Sequence, residues 1–129
     1  MLYFLVGIGG IIGSLLRYFV SNLASNWGGQ GFPYGTLFVN LSGAFILGWI
    51  TKNLSNHPKL HPYFVTTVGT GIVGSYTTFS TLSVETVTFI NHGEFFKALL
   101  YVTISLIGGM AFALWGFNIG NKERQGEKG

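Results

Sequence analysis

The chain has 129 residues, of which 48% are hydrophobic and only 9% charged, with 20 glycines, no cysteine and a formal net charge of +3. A soluble domain carries about 25% charged residues, so this composition, with a mean hydropathy of +0.47, points to a single-domain integral membrane protein. The absence of cysteine excludes disulfides and thiolate metal sites, and the small basic excess, held mostly in loops and tail, argues against nucleic-acid binding.

In chain order, apolar runs predict four spans, at about 2–23, 35–54, 63–90 and 96–119, followed by a polar C-terminal tail over 121–129. About 20 residues suffice for one crossing. The first run has no Lys or Arg ahead of it and no clear cleavage site, so it reads as a spanning helix and not a removed signal. Gly9 and Gly13 give it the small-xxx-small spacing that lets helices approach closely in lipid. Arg17 lies near its far end. It can snorkel to the interface, or stand as a fixed positive charge at an anion vestibule. A polar, Gly-rich loop follows, with Trp27 and Phe32 as expected interface anchors.

The second run places Asn40 between Val39 and Leu41. An amide at that depth is costly unless bonded. It serves either as a helix–helix hydrogen bond or as an N–H donor facing a pore. The next loop holds His57 and His61 at the spacing of a helical metal pair, but Pro58 and Pro62 argue against a regular helix there. A solvated loop is the expectation.

The third run is longer than one straight span needs, and it carries Gly-Thr-Gly-Ile-Val-Gly-Ser-Tyr-Thr-Thr-Phe-Ser-Thr-Leu-Ser-Val-Glu over Gly69 to Glu85. Glycine and β-branched threonine are poor helix formers. A backbone break around Gly74 to Thr78 follows. Broken backbone at membrane depth is tolerated only where protein or a watery path covers it, so this stretch reads as a substrate path. Glu85, a carboxylate within a span, is either a functional group or a structural hydrogen-bond partner. After a short turn at Gly93, the fourth run repeats the small-residue spacing at Gly109/Ala113 and Gly116/Gly120, and places Tyr101 and Ser105 one helical turn apart. The tail is read as solvated and disordered.

Four spans put both termini and the middle loop on one side, with Lys52, Lys59, Lys122, Arg124 and Lys128; the other side carries Lys97, and Arg17 if it snorkels there. The positive-inside rule then places both termini in the cytoplasm. Catalysis is not expected: there is no Cys or Asp, and every His falls in a predicted loop. A pore for a small hydrated anion needs N–H and O–H donors and little negative charge. Asn40, Ser80, Thr81, Tyr101 and Ser105 can donate, and the positive rim of the Phe79 ring can attract an anion edge-on. Four helices enclose little interior, so a dimer is expected.

These residues resemble the Fluc fluoride channels, also called CrcB proteins, over nearly the whole chain. The resemblance rests on Gly-Ser-Leu-Leu-Arg-Tyr (Gly13 to Tyr18), Gly-Thr-Leu-Phe-Val-Asn (Gly35 to Asn40) and Thr-Thr-Phe-Ser-Thr-Leu-Ser-Val-Glu-Thr (Thr77 to Thr86). It implies an all-α membrane protein of four transmembrane helices, the third broken near its middle, in an antiparallel dual-topology dimer with two pores. It implies passive export of cytoplasmic fluoride across the cell membrane. Asn40, Phe79, Ser80, Thr81, Leu82, Glu85, Tyr101 and Ser105 would line the pore, with Arg17 at the vestibule. Backbone carbonyls of Gly74 and Thr77 would hold a structural sodium ion at the dimer interface. The family motif has a second phenylalanine where this chain has Leu82. A homodimer would lack that ring in both pores, and the skewed basic residues disfavour dual insertion. The expectation is therefore one subunit of a heterodimer, with the homodimer as the alternative. Competing readings are a small four-helix proton-coupled exporter, a fluoride/proton exchanger and a structural membrane subunit.

Overall fold

The computed structural model describes residues 1–25, 31–55 and 57–128. Trp27 lies outside them. The described residues form helices and turns: α1 (Leu2–Ser25), α2 (Tyr34–Asn53), α3 (Pro62–Thr66), a π-helical segment (Thr67–Val73), α4 (Gly74–Tyr76), α5 (Phe79–Asn91) and α6 (Phe95–Lys128). Among the described residues, three helices are long and apolar enough to cross a membrane: Leu2–Ala24, Tyr34–Asn53 and Phe95–Glu127. The third segment is different. It is helical from 62 to 76, stops at Thr77 and Thr78, and resumes as α5. Both stop residues are extended, with φ/ψ of −77°/157° and −146°/121°. The break expected around Gly74 to Thr78 is thus observed.

Local chemistry sets the other ends. Pro62 occupies the first turn of α3, where its missing N–H costs nothing. His61 precedes it in extended backbone, and its Nδ1 accepts from the Tyr63 N–H at 3.1 Å. His57 Nδ1 similarly accepts from the Lys59 N–H at 3.3 Å. The two rings act as turn acceptors and not as a helical pair, as the prolines suggested. At the far end of α5, Gly93 adopts φ +74°. The Glu94 N–H reaches the Phe89 carbonyl at 2.8 Å, closing the helix in the manner of a Schellman turn.

Packing follows the small residues. α2 lies most extensively against α6, and α1 against the π segment. Gly48 leaves no room for a Cβ against the Ala113 carbonyl, and Gly116 none against the Phe45 carbonyl. Gly13 is pressed in the same way onto the Ile72 carbonyl. The spacing reading is accurate for Gly9, Gly13, Gly116 and Gly120, but Gly109 has nothing within 4 Å of the Cβ position. Gly108, one residue earlier, is the position that packs, on Leu41. Few large side chains are buried, Tyr101 and Val39 most completely. The outer surface is apolar: Phe4, Ile11, Phe19, Phe79, Leu106, Ile107 and Met110 are all more than 60% exposed. A surface of this kind belongs against lipid or another subunit.

The tail departs from expectation. Past the apolar run that ends near Ile119, α6 continues as helix through the polar tail to Lys128. Side chains of α2 hold it there. Trp49 Nε1 donates to Glu123 at 2.9 Å, and Asn53 Nδ2 donates to the same carboxylate oxygen at 3.0 Å. Arg124 donates to the Lys52 carbonyl at 3.4 Å. Composition alone favours disorder for such a segment; these tertiary bonds to its neighbour supply what its own sequence lacks.

Candidate functional site

The site is built around the break. On α2, Thr36, Asn40 and Gly43 fall at i, i+4 and i+7, so they form one stripe. That stripe faces the interrupted segment. The Asn40 amide pairs with the backbone of Thr78 through both of its ends: Nδ2 donates to the Thr78 carbonyl at 2.9 Å, and Oδ1 accepts from the Thr78 N–H at 2.8 Å. An asparagine amide presents a donor and an acceptor side by side, as a peptide unit does. It can therefore replace a neighbouring strand or turn for one exposed residue. Of the two sequence readings for Asn40, the structure displays the inter-helix bond. Asn40 also lines an open groove of about 330 Å³ with Gly43, Ala44, Leu47, Thr77, Thr78, Phe79 and Leu82.

This capture has consequences for the carbonyls. In an unbroken helix the Thr78 N–H would bond the Gly74 carbonyl. Asn40 takes that N–H, and the Gly74 oxygen retains a contact of 3.4 Å from the Thr77 hydroxyl. The Thr77 carbonyl would bond the Thr81 N–H, but that N–H caps α5 through the Thr78 hydroxyl at 3.2 Å. A guanidinium nitrogen of Arg17 approaches the Thr77 oxygen at 3.5 Å. Two side chains, Asn40 and Thr78, have thus released the two carbonyls from the helical ladder. Unwound backbone of this kind is what coordinates sodium in membrane proteins, so the donor set fits the ion. It is a hard-oxygen set, and two oxygens from one chain do not complete a coordination shell.

The hydroxyls gather on the other side of the break. The Thr78 hydroxyl lies 3.1 Å from that of Thr81 and 3.4 Å from that of Ser80. Thr81 opens onto a cavity of about 210 Å³ with Ser14, Arg17, Tyr18, Ser21, Asn22, Thr36, Val39 and Thr78. Arg17 therefore lines a polar chamber at the break. A second cavity, of about 410 Å³, is lined by Gly31, Phe32, Pro33, Glu85, Thr88, Phe89, His92, Glu94 and Lys97. The Thr36 hydroxyl, which lines the first cavity, donates to Glu85, which lines the second, at 2.5 Å.

Tyr101 and Ser105 face neither cavity. Tyr101 is fully buried, with Phe32 edge-on to its ring at 5.4 Å between centroids and Phe89 at 6.1 Å. Its hydroxyl and that of Ser105 are buried and have no hydrogen-bond partner among the described residues. Native proteins seldom leave such groups unmatched. Phe79, at the start of α5, is 80% exposed. One chain thus brings Arg17 to Thr81, and Asn40 to Phe79 and Leu82, but it does not join all the predicted residues in one enclosed path.

Two residues of this site were not singled out in sequence. Thr36 and Thr78 are its most buried polar side chains, at 6% and 8% exposure. Thr36 could have been found from its position one turn before Asn40. Thr78 could have been found as a helix N-cap three residues before Thr81. No group of three His, Cys, Asp or Glu residues able to hold a metal occurs among the described residues.

Comparison with known proteins adds an independent line. A family model described as "CrcB-like protein, Camphor Resistance (CrcB)" matches residues 4–117. The chain is 44% identical over 125 residues to "Fluoride-specific ion channel FluC 2" of Geobacillus kaustophilus, covering 97% of both chains. It is 42% identical over 121 residues to "Fluoride-specific ion channel FluC 1" of Bacillus anthracis, covering 94% of this chain and 88% of the relative. It is 43% identical over 118 residues to "Fluoride-specific ion channel FluC" of Thermus thermophilus, covering 92% and 94%.

Proposed function

The chain belongs to the CrcB family, and from that premise we propose that it is a fluoride-specific channel of the cell membrane, passing cytoplasmic fluoride outward without a coupled proton. The observation that carries this reading is near-full-length identity of over 40% to relatives named as fluoride-specific channels. No enzymatic step is involved.

The chemistry of the site supports the reading. Fluoride is small and tightly hydrated, so a pore must replace its water with donors. Hydroxyls of Thr78, Ser80 and Thr81 cluster at the break. Tyr101 and Ser105 offer buried hydroxyls, that of Ser105 without a partner among the described residues. A buried donor left unmatched costs about 1–3 kcal/mol, and an anion or its water would satisfy it. Arg17 supplies positive charge to the first cavity. Phe79 presents a ring whose edge is positive.

The proposed assembly is a dimer of antiparallel subunits, each crossing the membrane four times, with the broken segment as the third crossing. The open groove along Asn40, Phe79 and Leu82 is then closed by the partner. A sodium ion sits between the two subunits on the Gly74 and Thr77 carbonyls of each. Leu82 removes one aromatic edge per chain, so the partner is a related chain that carries both rings. The basic residues of the α2–α3 loop and the end of α6 support a cytoplasmic location for both termini.

The test is fluoride efflux from liposomes holding only this purified chain, read with a fluoride electrode, with chloride as control and no pH gradient. Selective efflux from this chain alone would still mark a channel, but it would rule out the obligate heterodimer proposed above. Efflux that appears only with a co-reconstituted relative bearing both phenylalanines supports the heterodimer. No fluoride efflux from folded protein in either form, or efflux that requires a pH gradient, overturns the channel reading.

A further inference from the structure

The net charge of the molecule is not spread over it. The chain has seven basic and four acidic residues. Arg17, Glu85, Glu94 and Lys97 balance one another, and Lys97 lies 3.3 Å from Glu94. The rest occupy one end: Lys52, Lys59, Lys122, Arg124 and Lys128, against Glu123 and Glu127. By sequence, the whole excess of +3 therefore falls on the segments where α2 ends, the α2–α3 loop turns and α6 continues.

The fold makes a cavity there. It measures about 460 Å³ and is lined by Asn53, His57, Pro58, Lys59, Arg124 and Glu127. Nothing in the proposed conduction path reaches it. Its polar groups are positioned. Arg124 is braced on the Lys52 carbonyl at 3.4 Å. His57 accepts the Lys59 N–H on Nδ1, which leaves Nε2–H as a donor in the neutral ring. Glu123 is turned to Trp49 and Asn53, so of the two local carboxylates only Glu127 lines the cavity.

Its height matters too. α6 has 34 residues, and at about 1.5 Å per residue it is about 50 Å long, whereas the hydrocarbon core is about 30 Å thick. The charged end of α6 thus rises out of the apolar layer. The cavity lies beside that end and just past the terminus of α2, with the Trp49 indole near it and Lys52 over the Phe117 ring at 5.3 Å. Aromatic rings and basic stems at this level mark the headgroup layer.

We propose that this cavity binds the phosphate of an anionic phospholipid headgroup, held by Arg124 and Lys59 with the His57 ring as a third donor. A guanidinium suits phosphate through its paired N–H groups, and an ammonium adds a point charge. The lipid, rather than a free phosphate, is the ligand because the cavity opens at headgroup level.

The experiment is a titration of the purified chain, in uncharged detergent, with short-chain phosphatidylglycerol, read by native mass spectrometry. The expected result is one tightly held lipid per chain. At about one kcal/mol per basic residue near a lipid surface, Lys59→Gln should weaken it about fivefold and Lys59→Gln with Arg124→Gln about twenty-five-fold. Lys52→Gln with Lys122→Gln removes the same charge from the same end but outside the cavity lining, and should weaken it less than about threefold. Equal weakening in the two double variants would overturn the proposal, since it would mean diffuse attraction. So would displacement of the lipid by matched concentrations of inorganic phosphate or glycerol phosphate, which would assign the site to a soluble ligand. Lys59→Gln lies on the loop and leaves the helices intact, so the test stands even if the Arg124 variant does not fold.

Discussion

The two faces of α2 solve opposite problems. Toward α6 it offers Gly48 and the backbone beside Gly116, and the two helices meet at carbonyl distance. There the helical ladders stay intact, and the glycines serve only to remove bulk. Toward the broken segment α2 offers Thr36, Asn40 and Gly43. There the ladder is cut, and side chains of α2 and of the break itself take over its bonds. One face trades side chains for contact, and the other trades backbone bonds for a polar opening. Small residues at a membrane helix interface therefore do not reveal which of these they serve. The polar residue beside them does.

The sharpest way to break this comparison is Asn40→Ala. It removes both bonds to Thr78 and leaves a buried backbone N–H and C=O unmatched, at a cost of about 2–4 kcal/mol in all. We expect fluoride efflux to fall about thirty- to a thousandfold, since each 1.36 kcal/mol is tenfold, while the α2–α6 contact persists. Efflux measured beside helix content by circular dichroism checks this. Near-normal efflux with normal folding would mean that Asn40 does not organise the break.

The opposite face predicts the reverse pattern. Gly48→Ala drives a Cβ into the Ala113 carbonyl. Overpacking of this order costs about 1–3 kcal/mol. The expected outcome is a lower unfolding midpoint and lower yield, with normal efflux per folded protein. A selective loss of flux instead would show that the α2–α6 seam is part of the conduction machinery.

Between the two lies Thr36→Val. The change keeps the shape and deletes the donor to Glu85. A single hydrogen bond is worth about 1 kcal/mol, so efflux should drop about five- to tenfold, with a stability loss smaller than that of Gly48→Ala. Restoring the hydroxyl in Thr36→Ser should recover most of the flux. Failure of serine to rescue would point to packing and not to the bond.

How far the sequence foretold these faces can be followed residue by residue. The break was legible because glycine and threonine cluster where an apolar run is too long, and the structure interrupts the helix at Thr77 and Thr78. Close packing was legible from spacing, though not its phase: Gly108, not Gly109, meets α2. The partner of Asn40 was not legible, because an amide suits any free backbone unit and the choice is made by tertiary placement. Thr36 was hidden for the same reason. The π-helical turn at Thr67–Val73 left no signal of its own; its glycines fit either helical register, and close packing on α1 accompanies the wider one. The end of α6 misled, since local composition cannot report a carboxylate shared by Trp49 and Asn53.

That last bond set yields the smallest effect. Glu123→Ala deletes the acceptor for both α2 donors, which lie at an exposed position. Exposed bonds of this kind are worth about 0.5–1 kcal/mol. The last two turns of α6 should then fray, seen as faster amide exchange confined to residues after 120 and as a change in Trp49 fluorescence. Efflux should not change, because the break and its hydroxyls lie elsewhere on the chain. If efflux fell with the fraying, the end of α6 would be coupled to the break through α2, and the two faces of that helix would not be independent.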